Sequence, residues 1–169
     1  MATQERYPNR WVQLVLGIVC RATVANCQYG WTLFVAPIED KYHWARTAIQ
    51  LSFTIFLFFE TWLVPLEGWG VDKFGPRPVI VFGAILSTIG WILCSYASNL
   101  GFLYFAQVLT GAGAGAVYGT CSGNSLKWFP DKRGLAAGAT AAGFGGGAAI
   151  TVIPVANMIN ASGYEQAFF

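Results

Sequence analysis

The stretch Gly68-Trp69-Gly70-Val71-Asp72-Lys73-Phe74-Gly75-Pro76-Arg77 decides the fold. It is a charged turn: Gly75-Pro76 interrupts regular structure, and Pro78 stands where the first turn of a new helix tolerates a missing N–H. On both sides the chain becomes apolar for the length of a membrane helix, over about 47–68 before it and 79–97 after it. The turn therefore joins two membrane-spanning helices on one side of a bilayer. Each residue type has a task there. Gly68 lets a neighbouring helix approach, Gly75 makes the turn, Lys73 and Arg77 anchor the polar side, and Asp72 can meet a cation or a helix N-terminus.

Working outward, three more apolar runs appear, at about 11–36, 102–126 and 135–159. The first, at 1.5 Å per residue, gives a helix of about 39 Å, too long for a signal peptide and interrupted by Arg21. Pro37 and the polar residues that follow it are expected to end this span. Pro65 is expected to kink the second, and Pro154 to bend the fifth near its end. The uncharged link Ser98-Asn99-Leu100-Gly101 makes spans three and four an antiparallel hairpin. The fold class is thus an all-α, polytopic transmembrane bundle of five helices, preceded by a polar segment, 1–10.

Composition agrees, because 55% of the 169 residues are apolar and only 11% charged. A soluble domain carries about a quarter of its residues charged, and a disordered one lacks this aromatic content. The ten Lys and Arg form short clusters between apolar runs and no basic face, so nucleic acid is excluded as a partner. Read as topology markers with the N-terminus cytoplasmic, Arg6, Arg10, Lys73, Arg77, Lys127, Lys132 and Arg133 fall inside. Lys41 and Arg46 fall outside and Arg21 stays in the membrane, the asymmetry that sets orientation. Trp11, Trp31, Trp44, Trp69 and Trp128 stand near span ends, as interfacial anchors do. Cys20, Cys27, Cys94 and Cys121 show no metal-site or redox spacing, and His43 belongs to a polar connector, so no metal or cofactor is called for.

Span four carries Gly111, Gly115, Gly119 and Gly123, a ridge one residue in four along a single face. Span five repeats it at Gly134, Gly138, Ala142 and Gly146, with Gly143, Gly145 and Gly147 beside it. In lipid such ridges let helices pack backbone to backbone, and so many glycines also allow bending. Arg21 and Glu60 lie deep in apolar spans, where each charge costs about 2.5 to 3.5 kcal/mol. They fall at similar depth in an antiparallel hairpin, so they can form a buried ion pair. Each can instead face water separately, or Arg21 can serve an anionic substrate. Glu67 reads as a solvated end residue.

The Gly68 to Arg77 turn resembles the G-x-x-x-D-[RK]-x-G-x-[RK] loop of the major facilitator superfamily. Asn9-Arg10-Trp11, Gln28-Tyr29-Gly30-Trp31, Gly111-Ala112-Gly113-Ala114-Gly115, Val117-Tyr118-Gly119 and Trp128-Phe129-Pro130-Asp131-Lys132-Arg133-Gly134 are similar to its oxalate:formate antiporter branch. The resemblance implies five helices of a six-helix N-terminal domain, a cytoplasmic latch at Asp72, Lys73 and Arg77, and a central cavity lined by Gln28, Tyr29, Tyr118 and Phe144. Aromatic walls of that kind suit a small planar carboxylate. The implied activity is exchange of small organic anions such as oxalate and formate by alternating access, not catalysis. The implied setting is a bacterial inner membrane, and the implied partners are lipid and a C-terminal half or a second copy. The competing expectation is a structural membrane fragment, inactive alone. At Gln107, where this superfamily often has an arginine, the chain departs from the pattern.

Overall fold

The computed structural model describes residues 10–168, and the segment 1–9, with Arg6 and Asn9, lies outside the described residues. The order is α1 (Arg10–Tyr29), α2 (Trp31–Tyr42), α3 (Arg46–Trp62), α4 (Val64–Phe74), α5 (Pro76–Ser95), α6 (Leu100–Trp128) and α7 (Arg133–Ser162), with a closing 3-10 turn (Gln166–Phe168). By length and composition α5, α6 and α7 can each cross a membrane. Helices α3 and α4, bent by 43° across one residue, make a fourth span if taken together. Helices α1 and α2 cover the first expected span, and neither reaches that length and apolarity by itself. The outer surface is apolar, with Trp62, Phe82 and Ile150 exposed, as lipid contact requires.

The bend in the second span sits where proline dictates. Pro65 is in the first turn of α4, where its missing N–H is harmless, and α3 closes at Leu63. Pro37 does not end the first span as expected: it lies inside α2, fastened by the buried side chains of Phe34, Val35 and Ile38 around it. Tertiary packing outweighs the one backbone hydrogen bond the ring removes. The break comes earlier, at Gly30, where a Cβ would stand 2.6 Å from the Asn26 carbonyl and the helix switches to a Leu33-to-Gly30 hydrogen bond.

Between α4 and α5 the backbone of Gly75 has φ 87° and ψ 168°, a region open essentially to glycine alone. Gly75→Ala is expected to cost about 1–3 kcal/mol, read as a lowered melting temperature of the detergent-solubilised protein. The α5–α6 link is closed by Asn99, whose side chain accepts the Phe102 N–H at 2.8 Å.

Helix α6 is the hub, packed on α1, α3, α4, α5 and α7. Its composition explains this, because different faces of one helix present atoms too small to hold neighbours off. Gly111 and Gly115 admit the α3 backbone at Phe56 and Glu60. Gly113 and Ala116 meet Gly83 and Ser87 of α5, and Gly90 of α5 meets Thr110. Gly17 of α1 stands against Ser125. Only part of the expected ridge packs backbone to backbone: Gly119 meets only the Glu67 side chain, and no described atom lies within 4 Å of a Cβ at Gly123. On α7 the packing face is Gly143 and Gly147, against Ile18 and Ala22 of α1, while Gly134, Gly138 and Gly146 have no such neighbour. A spacing of four fixes a face but not which face a neighbour takes.

One end is closed by an apolar cluster. Phe168 stacks on Phe34 at 4.2 Å between ring centroids and meets Trp91 edge-on at 5.0 Å. Trp31 is fully buried in this cluster, so it is core and not an interfacial anchor, whereas Trp11 and Trp69 are exposed. The Lys41–Glu165 ion pair and the Ser95 hydroxyl, donating to the Glu165 carbonyl at 3.0 Å, tie the closing turn down. The Glu165 hydrogen bond holds the Lys41 ammonium above its ordinary range.

Candidate functional site

Helices α1, α3, α6 and α7 surround a cavity of about 410 Å³ lined by Arg21, Gln28, Tyr29, Glu60, Tyr118 and Phe144, together with Leu57, Thr61, Val64 and Ala141. Every residue that the sequence nominated for substrate thus reaches one space. Arg21 is only 3% exposed, with its guanidinium carbon 3.8 Å above the centroid of the Tyr118 ring and 5.6 Å from that of Phe144. Phe144 in turn meets Tyr118 edge-on at 5.1 Å and Tyr29 at 5.4 Å. A cation over aromatic faces gains attraction without surrendering its hydrogen-bond donors.

Those donors are free. Among the described residues Arg21 makes no ion pair, and its buried Nε lacks any hydrogen-bond partner. The buried Arg21–Glu60 ion pair expected from the sequence therefore does not form, although both side chains line the cavity. The cause is helix packing: the Glu60 carbonyl rests against Gly115, and Tyr118, one turn further along α6, takes the guanidinium. A planar, permanently charged fork with open N–H groups inside an aromatic wall matches a carboxylate, which it can bind with two parallel hydrogen bonds.

The turn between α4 and α5 is solvated. Asp72 stands 3.7 Å from the Lys127 ammonium of α6, both exposed, and Lys73 lies over the Trp69 and Phe74 rings at 4.8 and 5.3 Å. Arg77 is exposed, and Gly68 has no described atom within 4 Å of a Cβ built on it, so it admits no helix here. The cation that Asp72 meets is on α6, so this exposed pair joins α4 to α6.

Sequence reasoning missed Glu67. Its carboxylate is not solvated: both oxygens are buried without a hydrogen-bond partner, facing Gly115 and Gly119. The available signal was its place two residues beyond Pro65, in the helix that follows the bend.

A bundle of glycine-seamed membrane helices around a cavity with a buried arginine defines an integral membrane protein of the transporter kind. The Major Facilitator Superfamily model matches residues 14–169, and the chain belongs to that family. It is 37% identical to the oxalate:formate antiporter of Oxalobacter formigenes over 95% of this chain and 38% of that protein. It is 34% identical to an uncharacterized 38 kDa protein of Thermoproteus tenax, over 90% of this chain and 41% of that protein. A probable sulfoacetate transporter of Cupriavidus necator is 27% identical over 92% of this chain and 37% of its own length. The chain thus spans about two fifths of the length of these relatives. The family transports and does not catalyse.

Proposed function

We propose that this chain forms the N-terminal bundle of a carrier that exchanges small organic anions, oxalate and formate among them, by alternating access. The observation that carries the reading is Arg21, buried over Tyr118 with its donors unspent in a cavity with room for a small carboxylate. Two relatives whose names specify carboxylates or a sulfonated carboxylate, oxalate:formate and sulfoacetate, support the same ligand chemistry. In this reading five crossings place the N-terminus, the Gly68 to Arg77 turn and the Lys127 to Arg133 cluster in the cytoplasm of a bacterium. The turn acts as an inner latch through Asp72, Lys73 and Arg77. A complementary set of helices, a C-terminal half or a second copy, supplies the surface against which the bundle rocks.

The test is exchange in proteoliposomes loaded with oxalate: labelled oxalate or formate should enter against the internal pool. Exchange by the carrier containing this bundle, and none by the bundle alone, is expected. No exchange in either case defeats the substrate reading, and exchange by the bundle alone defeats the need for a complementary half. Orientation is read separately with a membrane-impermeant amine reagent on sealed cells, which should modify Lys41 and spare Lys73 and Lys132.

A further inference from the structure

A second cavity, of about 260 Å³, lies between α4 and α6 on the side of the Gly68 to Arg77 turn. Its polar lining is Glu67, Asp72, Thr120, Asn124 and Lys127. Two features of it stand out. Both Glu67 carboxylate oxygens are buried without a partner, and the Thr120 hydroxyl, on a residue 5% exposed, is buried and unpartnered too. An ionised carboxylate so placed carries an uncompensated desolvation cost, whereas a carboxyl that has taken up a proton is neutral and needs no counter-charge.

Two charged residues share the cavity with it, Asp72 of α4 and Lys127 of α6. Glu60 of α3 stands nearby against the same Gly115. Lys127 is engaged by Asp72 at the exposed mouth, and Asn124 accepts the Trp128 indole N–H at 3.1 Å.

We propose that Glu67 is a proton-binding site at the inner end of the bundle, held neutral against the Gly115–Gly119 face of α6 and linked to the α3–α4 bend. Without its proton, the carboxylate needs water, and water drawn between the helices separates α4 from α6. The link to the anion site is physical, because Val64, the first residue after the bend, lines both cavities. Proton release at Glu67 then opens the inner side as the anion leaves. The coupling to transport rests on the anion-exchange reading above, but the protonation does not.

Dicyclohexylcarbodiimide attacks protonated carboxyls in apolar surroundings. Applied to the unmodified protein in liposomes and mapped by mass spectrometry, it should form an adduct on Glu67 at neutral pH that fades as pH rises. Infrared pH-difference spectra should show a protonated-carboxyl signal that is lost in Glu67→Gln and kept in Glu60→Gln. In the exchange assay, Glu67→Gln should remove the pH dependence of oxalate uptake. A Glu67 left unmodified wherever Glu60 reacts, or an infrared signal that survives Glu67→Gln, overturns the proposal. Absent exchange with Glu67 titrating defeats only the anion reading, whereas pH-dependent exchange unchanged in Glu67→Gln defeats only the coupling.

Discussion

Gly113→Ala is expected to prevent stable assembly of the bundle, whereas Gly123→Ala, ten residues further along the same helix, leaves it intact. A methyl at Gly113 would lie 2.5 Å from the Gly83 carbonyl oxygen and 2.8 Å from the Ser87 Cα of α5. Both obstacles are backbone, on a helix that itself packs through Gly83 and Gly90, so neither rotates aside. Relief requires α5 and α6 to separate, and that contact runs the length of the outer hairpin. Overpacking a tight interior costs about 1–3 kcal/mol when side chains can adjust, and this case falls at the top of that range. At Gly123 the added methyl meets no described atom and gains up to about 1 kcal/mol of helix propensity. Thermal unfolding and size-exclusion profiles in detergent check the pair: a Gly113→Ala protein as stable as Gly123→Ala would mean that the α5–α6 seam is wrong.

Arg21→Gln is expected to abolish anion exchange while leaving the fold as stable as before, or more so. The charge is buried and has no acidic partner, so its removal takes away a desolvation cost and leaves no orphaned carboxylate bound to it. Binding suffers instead. Losing one partner of a buried, hydrogen-bonded charge pair costs about 2–5 kcal/mol, and 1.4 kcal/mol is tenfold, so affinity falls at least about thirtyfold. Arg21→Lys keeps the charge but loses the plane that lies on Tyr118 and the fork that grips two oxygens, so it should recover only part of the activity. Loss of stability and transport together in Arg21→Gln would indicate a structural charge instead. Uptake kinetics and a melting curve on the same preparation distinguish the two.

What was legible in the sequence follows from local chemistry. Gly75-Pro76 marks the α4–α5 turn because few residues other than glycine adopt φ 87°, and Pro65 marks the bend because its ring disfavours the preceding turn. Gln28, Tyr29, Tyr118 and Phe144, nominated from the antiporter likeness, and Arg21, nominated from its charge deep in an apolar span, stand around one cavity. What was not legible depends on neighbours. Gly111, Gly115, Gly119 and Gly123 look alike along the chain, yet α3 covers the first two, only the Glu67 side chain of α4 reaches the third, and no described atom reaches the fourth. Gly113, off that ridge, proves to be the tightest contact with α5. Trp31 sits at a position expected of an anchor and is buried because α2 turns it inward among Phe34 and Ile38. Arg21 and Glu60 line the same cavity, but helix rise says nothing of the Tyr118 ring that takes the guanidinium.

The cavity between α1, α3, α6 and α7 can be interrogated directly through Ala141, which lines it on α7. With the four native cysteines replaced by alanine, Ala141→Cys should react with a hydrophilic maleimide more slowly in oxalate than in an equal concentration of chloride. That protection should vanish when Arg21→Gln is added. Equal rates with and without oxalate, or protection that survives the loss of Arg21, would contradict the assignment of this cavity as the anion site.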